Sequence, residues 1–472
     1  MVQVAGLSKA LSKLRTWAER EEWEEPFKEV FGDHLAPACE ALDIEPDELL
    51  APLGEYDLQM VFNVTFEDFL TCDLGEDGRN LIDHYLARRG WNEPAGVKRW
   101  LKALRHSRAS LWEVVDLDPG RTITLRDLLA GGEPVVVDER MGSRSAALWD
   151  RVMARVLPFG DRHCLSSAIL PFKPDAAEAV LERFDELLKS LRREARKAGR
   201  KSGEEIPDDE TLRDFLLHQM APVLTQEWLI HAYEAATAPP PTLLNTDGEA
   251  VVWASLRYPL RAAVEQLVER LDRSLVLTRH GDELSWDWVR SDPAPQVTAA
   301  PQPADPESEI RILTRNQLGQ TVLATLRIEQ DALLLEANSR ERAESSRGLL
   351  AEMLGDMIGE AEAFERPIEA TEDSAEPEEE GAAVLDLTPG EQAELVKTFL
   401  DDHYGRVLDQ PVPLLGGKSP RQAARNKKSR SAVVNWLKQL ENHEQRRAKA
   451  AGQPTYDARW LWAELGLAEL RR

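Results

Sequence analysis

Cysteine is scarce. Cys39, Cys72 and Cys164 are the only three in 472 residues, and they lie far apart. An odd, sparse set is not a disulfide framework, and without a C-x-x-C pair there is no cysteine zinc knuckle. Long apolar runs are missing too. No stretch approaches the roughly 18 apolar residues a membrane-spanning helix needs. Met1 to Arg15 sets Leu7, Leu11 and Leu14 at i, i+4, i+7 among Lys9, Lys13 and Arg15. That is an amphipathic helix, not the apolar core of a signal peptide, so the expected location is cytoplasmic, with no membrane partner. The signatures H-E-x-x-H, G-x-S-x-G and G-x-G-x-x-G are absent, so no catalytic residue, metal ligand or cofactor is read from motifs. Net positive charge is lacking: the formal charge is −26. Such a surface repels phosphate backbones on average, and any nucleic-acid contact needs a local basic patch.

What is present is a multi-domain α+β chain; at about 150 residues per domain, the length suggests roughly three domains. Residues 1–110 read as a helical region, with apolar stripes at Leu35, Ala38, Cys39 and Leu42, at Phe62, Phe66, Phe69 and Leu70, and at Leu81, Ile82, Tyr85 and Leu86. Short β-prone runs broken by Pro119-Gly120 and Gly131-Gly132 predict a small β-barrel-like module over 111–173. Helix returns over 174–242, where Val180, Leu181, Phe184, Leu187, Leu188 and Leu191 share a face and Lys189 to Lys201 is basic. Residues 243–360 read as two βα units separated by a five-proline stretch, Ser291 to Glu309. Acids dominate from Asp356 to Glu380, so 361–383 is expected to be an acidic, disordered linker. A helical C-terminal domain over 384–472 completes the chain.

Several groups invite chemistry and fall short of it. Gly416-Gly417-Lys418-Ser419 lacks the earlier glycine of a phosphate loop, since position 412 is Val412. It reads instead as a turn with Ser419 as N-cap and Pro420 at the first helical position. Asp73, Glu76 and Asp77 do not alternate as calcium ligands must. His163 and Cys164 are adjacent, so on a strand their side chains point apart. From Lys418 to Lys449 ten bases face two acids, Glu441 and Glu444; this is either a solvated face or a phosphate-binding patch.

Two stretches carry resemblances. Asp83 to Trp91, Ser110 to Val115 and Leu125 to Leu129, extended by Glu139-Arg140, Ser143 to Ser145, Trp149 to Arg151 and Ala154 to Val156, resemble an uncharacterised bacterial family over roughly 60–170. Distant relatives carry a cysteine-rich zinc motif whose cysteines this chain lacks, so that resemblance implies no zinc role. Pro413 to Pro420, followed by Ala423-Ala424 and Val433 to Leu440, resembles the toxin-binding segment of Xre/MbcA/ParS-type antitoxins. The second resemblance implies a protein partner docking at Leu415, Gly416, Gly417, Ser419 and Pro420.

The function expected is therefore a non-enzymatic protein-interaction or adaptor protein, in a toxin–antitoxin or defence setting. The alternative is nucleic-acid association through Lys418, Arg421, Arg425, Lys427, Lys428 and Arg430. A third reading is an enzyme whose site is assembled from distant residues.

Overall fold

The computed structural model describes residues 6–74, 78–202, 205–239, 242–281, 283–290, 309–311, 314, 320–367 and 389–471. It divides into two compact units: Met1–Ala238 with Leu385–Arg472, and Pro239–Val384.

In the first unit, helices α1 (Leu7–Ala18), α2 (Glu21–Leu42), α3 (Pro46–Leu50), α4 (Glu55–Thr71), α5 (Leu81–Arg89) and α6 (Ala95–Arg105) come first. Of these six, α5 is the one whose start is capped by a side chain. Asn80 caps α5 by accepting from the Asp83 amide, and its own amide group donates to the Leu70 and Cys72 carbonyls, tying α5 to the end of α4. Leu14, Trp23, Phe69, Leu81, Tyr85 and Leu101 fill the core between these helices.

Strands β1 (Ser110–Asp118), β2 (Thr122–Asp127) and β3 (Val135–Asp138), the short helix α7 (Gly142–Ser145), then β4 (Arg151–Phe159) and β5 (Arg162–Phe172) follow. They close a barrel in the order β1-β2-β3-β5-β4, with β4 returning to pair with β1. The turns fall where glycine placed them. Gly120, between β1 and β2, has φ +82°, and a Cβ there would meet the Arg144 guanidinium at 3.2 Å. Trp112, Val114, Ile123, Leu125, Val137, Ala154 and Leu165 form one apolar cluster of the barrel strands. Leu111, Met153 and Leu170 instead join α2, α4 and the helices that follow, α8 (Pro174–Ser202), α9 (Asp209–His218) and α10 (Met220–Thr237). Alternation along each strand thus sends one face to each core.

The second unit holds β6 (Thr242–Leu244), β7 (Val252–Pro259), α11 (Val264–Asp272), β8 (Leu277–Arg279), β9 (Ser285–Arg290), β10 (Glu309–Arg311), β11 (Thr321–Glu329), β12 (Ala332–Ala337), α12 (Arg340–Leu354) and β13 (Glu362–Pro367). The two βα units share one sheet, ordered β13-β7-β12-β11-β9-β8. Leu267 and Leu271 of α11 and Leu350 and Leu354 of α12 pack with Leu256, Trp286, Leu326 and Leu335 of the sheet. Arg342 in the first turn of α12 is buried and fully used. It donates to Asp247, Thr246, Asn338 and the Val322 carbonyl.

Two expectations need correction. The acidic linker was placed over 361–383, yet Glu362–Pro367 is strand β13, paired antiparallel with β7; residues 368–383 lie outside the described residues. An edge strand keeps its charged side chains in water, so acidic composition did not forbid it. The C-terminal region was expected as a separate domain on a tether. Its helices α13 (Pro389–Val407), α14 (Pro420–Arg425), α15 (Arg430–Ala450) and α16 (Arg459–Glu464) belong instead to the same compact unit as the barrel.

Candidate functional site

The turn singled out by sequence is built as its residues dictate. Val412 and Lys418 bridge across it, with the Val412 amide donating to the Lys418 carbonyl at 3.1 Å. Gly416 and Gly417 take φ of +64° and +72°, a region closed to most side chains. Ser419 then starts α14 with a complete capping box: its hydroxyl accepts from the Gln422 amide, and the Gln422 side chain accepts from the Ser419 amide. Pro420 occupies the first helical position. Leu415, expected as the partner's anchor, is 7% exposed and lies in the C-terminal core with Val433, Leu437 and Leu461. Ser419 and Pro420 are buried as well. The large apolar side chain the turn offers to solvent is Leu414, 64% exposed.

The basic segment is largely spoken for within the molecule. Arg421 pairs with Asp409 and Glu464, and Arg430 donates to the Ala424 carbonyl. Arg447 pairs with Glu444, Arg446 reaches Asp150 at 2.7 Å, and Lys438 reaches Glu113 at 2.6 Å. Lys418, Arg425, Lys427 and Lys428 stay exposed. Glu113 is a buried β1 residue whose carboxylate also faces Arg126 and Arg151. Burial lowers the proton affinity of Lys438, against the pull of Glu113.

Beside this pair stands Trp149, between α7 and β4, held at φ +69°. A bulky residue in the left-handed region costs on the order of 1–3 kcal/mol and persists only where its surroundings fix it. Here they do. Its indole N–H donates to Glu441 Oε2 at 2.7 Å, Lys438 Nζ sits 4.5 Å from its ring, and the Trp462 ring lies 6.4 Å away. Glu441 also accepts from the Trp462 indole at 3.1 Å and from Arg471 at 2.9 Å. Trp149 and Glu441 therefore bolt α15 onto the barrel.

A second polar cluster joins α2, α4, α10 and β4. Buried His34 contacts Thr225 Oγ1 at 2.9 Å and Asp68 at 3.3 Å. Asp68 also accepts from Arg155 and from the Cys72 thiol. Burial would raise the Asp68 carboxyl, but the His34 hydrogen bond and the Arg155 charge hold it below its ordinary value. Burial pushes the neighbouring Glu67 up, although the Ser167 and Ala168 amides and the Ser167 hydroxyl donate to its Oε1. Burial also raises the Cys72 thiol. His, Asp and Cys meet here, but fully buried His34 and Thr225 close the cluster to substrate. It fastens helices to the barrel.

The other sequence candidates stay apart. Cys164 is buried in the helical core against which Cys72 also packs, whereas Cys39 belongs to a different cluster. Asp73 pairs with Arg105, while Glu76 and Asp77 lie outside the described residues. Among the described residues, no three His, Cys, Asp or Glu side chains are grouped to hold a metal ion, and no helix is long and apolar enough to cross a membrane.

Sequence reasoning missed the outer margin of the second unit's sheet. Ala254, Leu256 and Tyr258 of β7 face the helix-covered core, so Trp253, Ser255 and Arg257 face the other way. Register places Arg366 opposite Trp253 and Phe364 opposite Ser255. Trp253, 49% exposed, and Phe364, 60% exposed, are thus diagonal neighbours on one face. Among the described residues β13 has β7 as its one strand neighbour.

Residues 60–201 match a family of unknown function, DUF7986. That span runs from α4 through the barrel to the end of α8 and is less than half of the chain. It overlaps the stretch whose sequence resembles an uncharacterised family. No curated protein and no solved structure matches the chain.

Proposed function

We propose that this chain acts by binding, as a non-enzymatic protein-interaction or adaptor protein, and that the β13 margin of the second unit is its docking surface. The observation that carries this reading is the exposed Trp253–Phe364 pair beside a sheet-edge strand. An unpaired edge offers main-chain donors and acceptors to an extended segment of another protein, and flanking aromatics give that segment apolar purchase. A photo-crosslinking residue at position 364 should give one discrete adduct in the host cell, and Trp253→Ser should remove it. No adduct at 364, or the same adduct from a crosslinker at exposed Leu275, rejects the surface.

The antitoxin-like turn supports a second reading, because it presents Leu414. Its partner would be a protein with an apolar groove, in a toxin–antitoxin or defence setting. Leu414→Asp should abolish that binding while leaving the fold intact; unchanged binding rejects it.

A further inference from the structure

The last four turns of α8 carry a concentrated positive charge. Lys189, Arg192, Arg193, Arg196, Lys197, Arg200 and Lys201 share the segment with one acid, Glu194. At 100° per residue, Lys189, Arg193, Arg196 and Arg200 form a narrow stripe, flanked by Arg192 and Lys197. The opposite side carries Val180, Phe184 and Leu188, which anchor the helix in the core. No residue from Lys189 to Lys201 is buried. Beyond Leu191 the apolar side is continued only by Ala195 and Ala198.

Of the acids that follow in sequence, Glu204, Glu205 and Asp208 to Glu210, Asp209 pairs with Arg192 at 3.0 Å. The side chains of Arg193, Arg196, Lys197, Arg200 and Lys201 border one shallow, open space on the surface of the helix itself. Arg200 lies twelve residues past Leu188, about 18 Å along the axis. That exceeds the roughly 8 Å screening length at physiological salt, so the tip of the arm lies beyond the screened field of acids set around Leu188.

We propose that the end of α8 is a binding arm for the phosphate backbone of nucleic acid. The chemistry of the arm separates this from other anionic partners. A membrane-surface helix needs large apolar residues to enter the acyl boundary, and a groove-binding helix needs apolar anchors every three to four residues. The arm has neither. It offers arginines, whose planar donors suit phosphate oxygens. The site differs from the Lys418–Arg430 patch, where Arg421 and Arg430 are held internally, and it is independent of the β13 surface.

The test uses the full chain and a fluorescein-labelled 30-bp duplex DNA of arbitrary sequence, with a 30-nucleotide single-stranded RNA as the second arm. Five phosphate contacts give duplex affinity a log–log salt slope of about −4.5, hence a loss of about 500-fold between 50 and 200 mM salt. A single strand gives a shallower slope of about −3.5. Replacing Arg193, Arg196, Lys197, Arg200 and Lys201 by Gln keeps helix-forming residues at exposed positions. It should reduce affinity at least 30-fold at 50 mM salt with an unchanged far-ultraviolet spectrum. Replacing Lys418, Arg425, Lys427 and Lys428 by Gln should change it less than threefold. If the fivefold variant loses helix, Arg196→Gln and Arg200→Gln should each flatten the duplex slope by about 0.9. The proposal is overturned if wild-type protein binds neither probe at 50 mM salt, or if the substituted arm binds as wild type. Tighter binding to phosphatidylserine vesicles or to polyglutamate than to either nucleic acid overturns it too.

Discussion

Glu441 is where the C-terminal helices are most exposed to a single change. Its carboxylate accepts from two indoles and one guanidinium: Trp149 on Oε2, and Trp462 and Arg471 on Oε1. Glu441→Gln preserves shape and removes one acceptor. Whichever way the amide turns, its NH2 faces a donor. Turned one way, it strands the Trp149 N–H; turned the other, it strands Trp462 and Arg471. A buried donor left unsatisfied costs about 1–3 kcal/mol. The lost charge weakens the pair with Arg471, which is partly exposed and adds at most about 1 kcal/mol. Glu441→Gln should therefore destabilise the first unit by about 2–3 kcal/mol, and Glu441→Leu, which accepts from none of the three, by about 3–5 kcal/mol. The assay is urea unfolding followed by tryptophan fluorescence, with ΔΔG taken from the midpoint shift at constant slope. Amide exchange along α15 should accelerate in parallel. A Gln variant within 0.5 kcal/mol of wild type refutes the idea that Trp149 is held in its left-handed backbone by this contact.

Leu415→Asp buries a carboxylate among Val433, Leu437 and Leu461 and should cost more than 3 kcal/mol, whereas Leu414→Asp should stay within about 0.5 kcal/mol; thermal unfolding followed by circular dichroism separates them. Burial raises Glu67, so its folded value lies above the unfolded one near 4.3, and its stabilising contribution is full below that pH and lost as pH rises through the folded value. Glu67→Gln should thus be more stable than wild type at pH 8, with the gain vanishing toward pH 4; a pH-independent difference in urea midpoints refutes this. Arg342→Met removes the donors on Asp247 Oδ2, leaving Arg290 on Oδ1, and should cost the second unit about 3–5 kcal/mol, seen as faster amide exchange over Asn245 to Glu249 and the first turn of α12.

What the sequence disclosed depended on range. The barrel was legible because its turns are local: Pro119-Gly120 and Gly131-Gly132 mark where strands must end, and the runs between them are short and β-prone. The capping box at Ser419 was half-read for the same reason, since its N-cap and proline lie in one turn. Strand β13 was hidden because its partner β7 lies more than a hundred residues upstream, and because both charged and apolar residues of an edge strand face water. Leu414 and Leu415 cannot be told apart by composition. Only the fold of the turn decides which enters the core.

Charge was the most misleading signal, and the reason is geometric. Counting bases from Lys418 to Lys449 treats each as free, yet Lys438 meets Glu113 and Arg446 meets Asp150 across some 300 residues of sequence. Those pairings make the α15 part of the segment an internal seam, in which its bases answer acids of the barrel, while Lys418, Arg425, Lys427 and Lys428 stay exposed. The same accounting, done in three dimensions, isolates the arm of α8. Its bases lie past the last buried residue of their helix, where few acids reach them. A net charge of −26 describes the whole surface, but an anion docking on the arm meets the field within a screening length, and that field is positive. Helix α8 outruns its core with five bases in its last ten residues, past the point where its apolar side is buried.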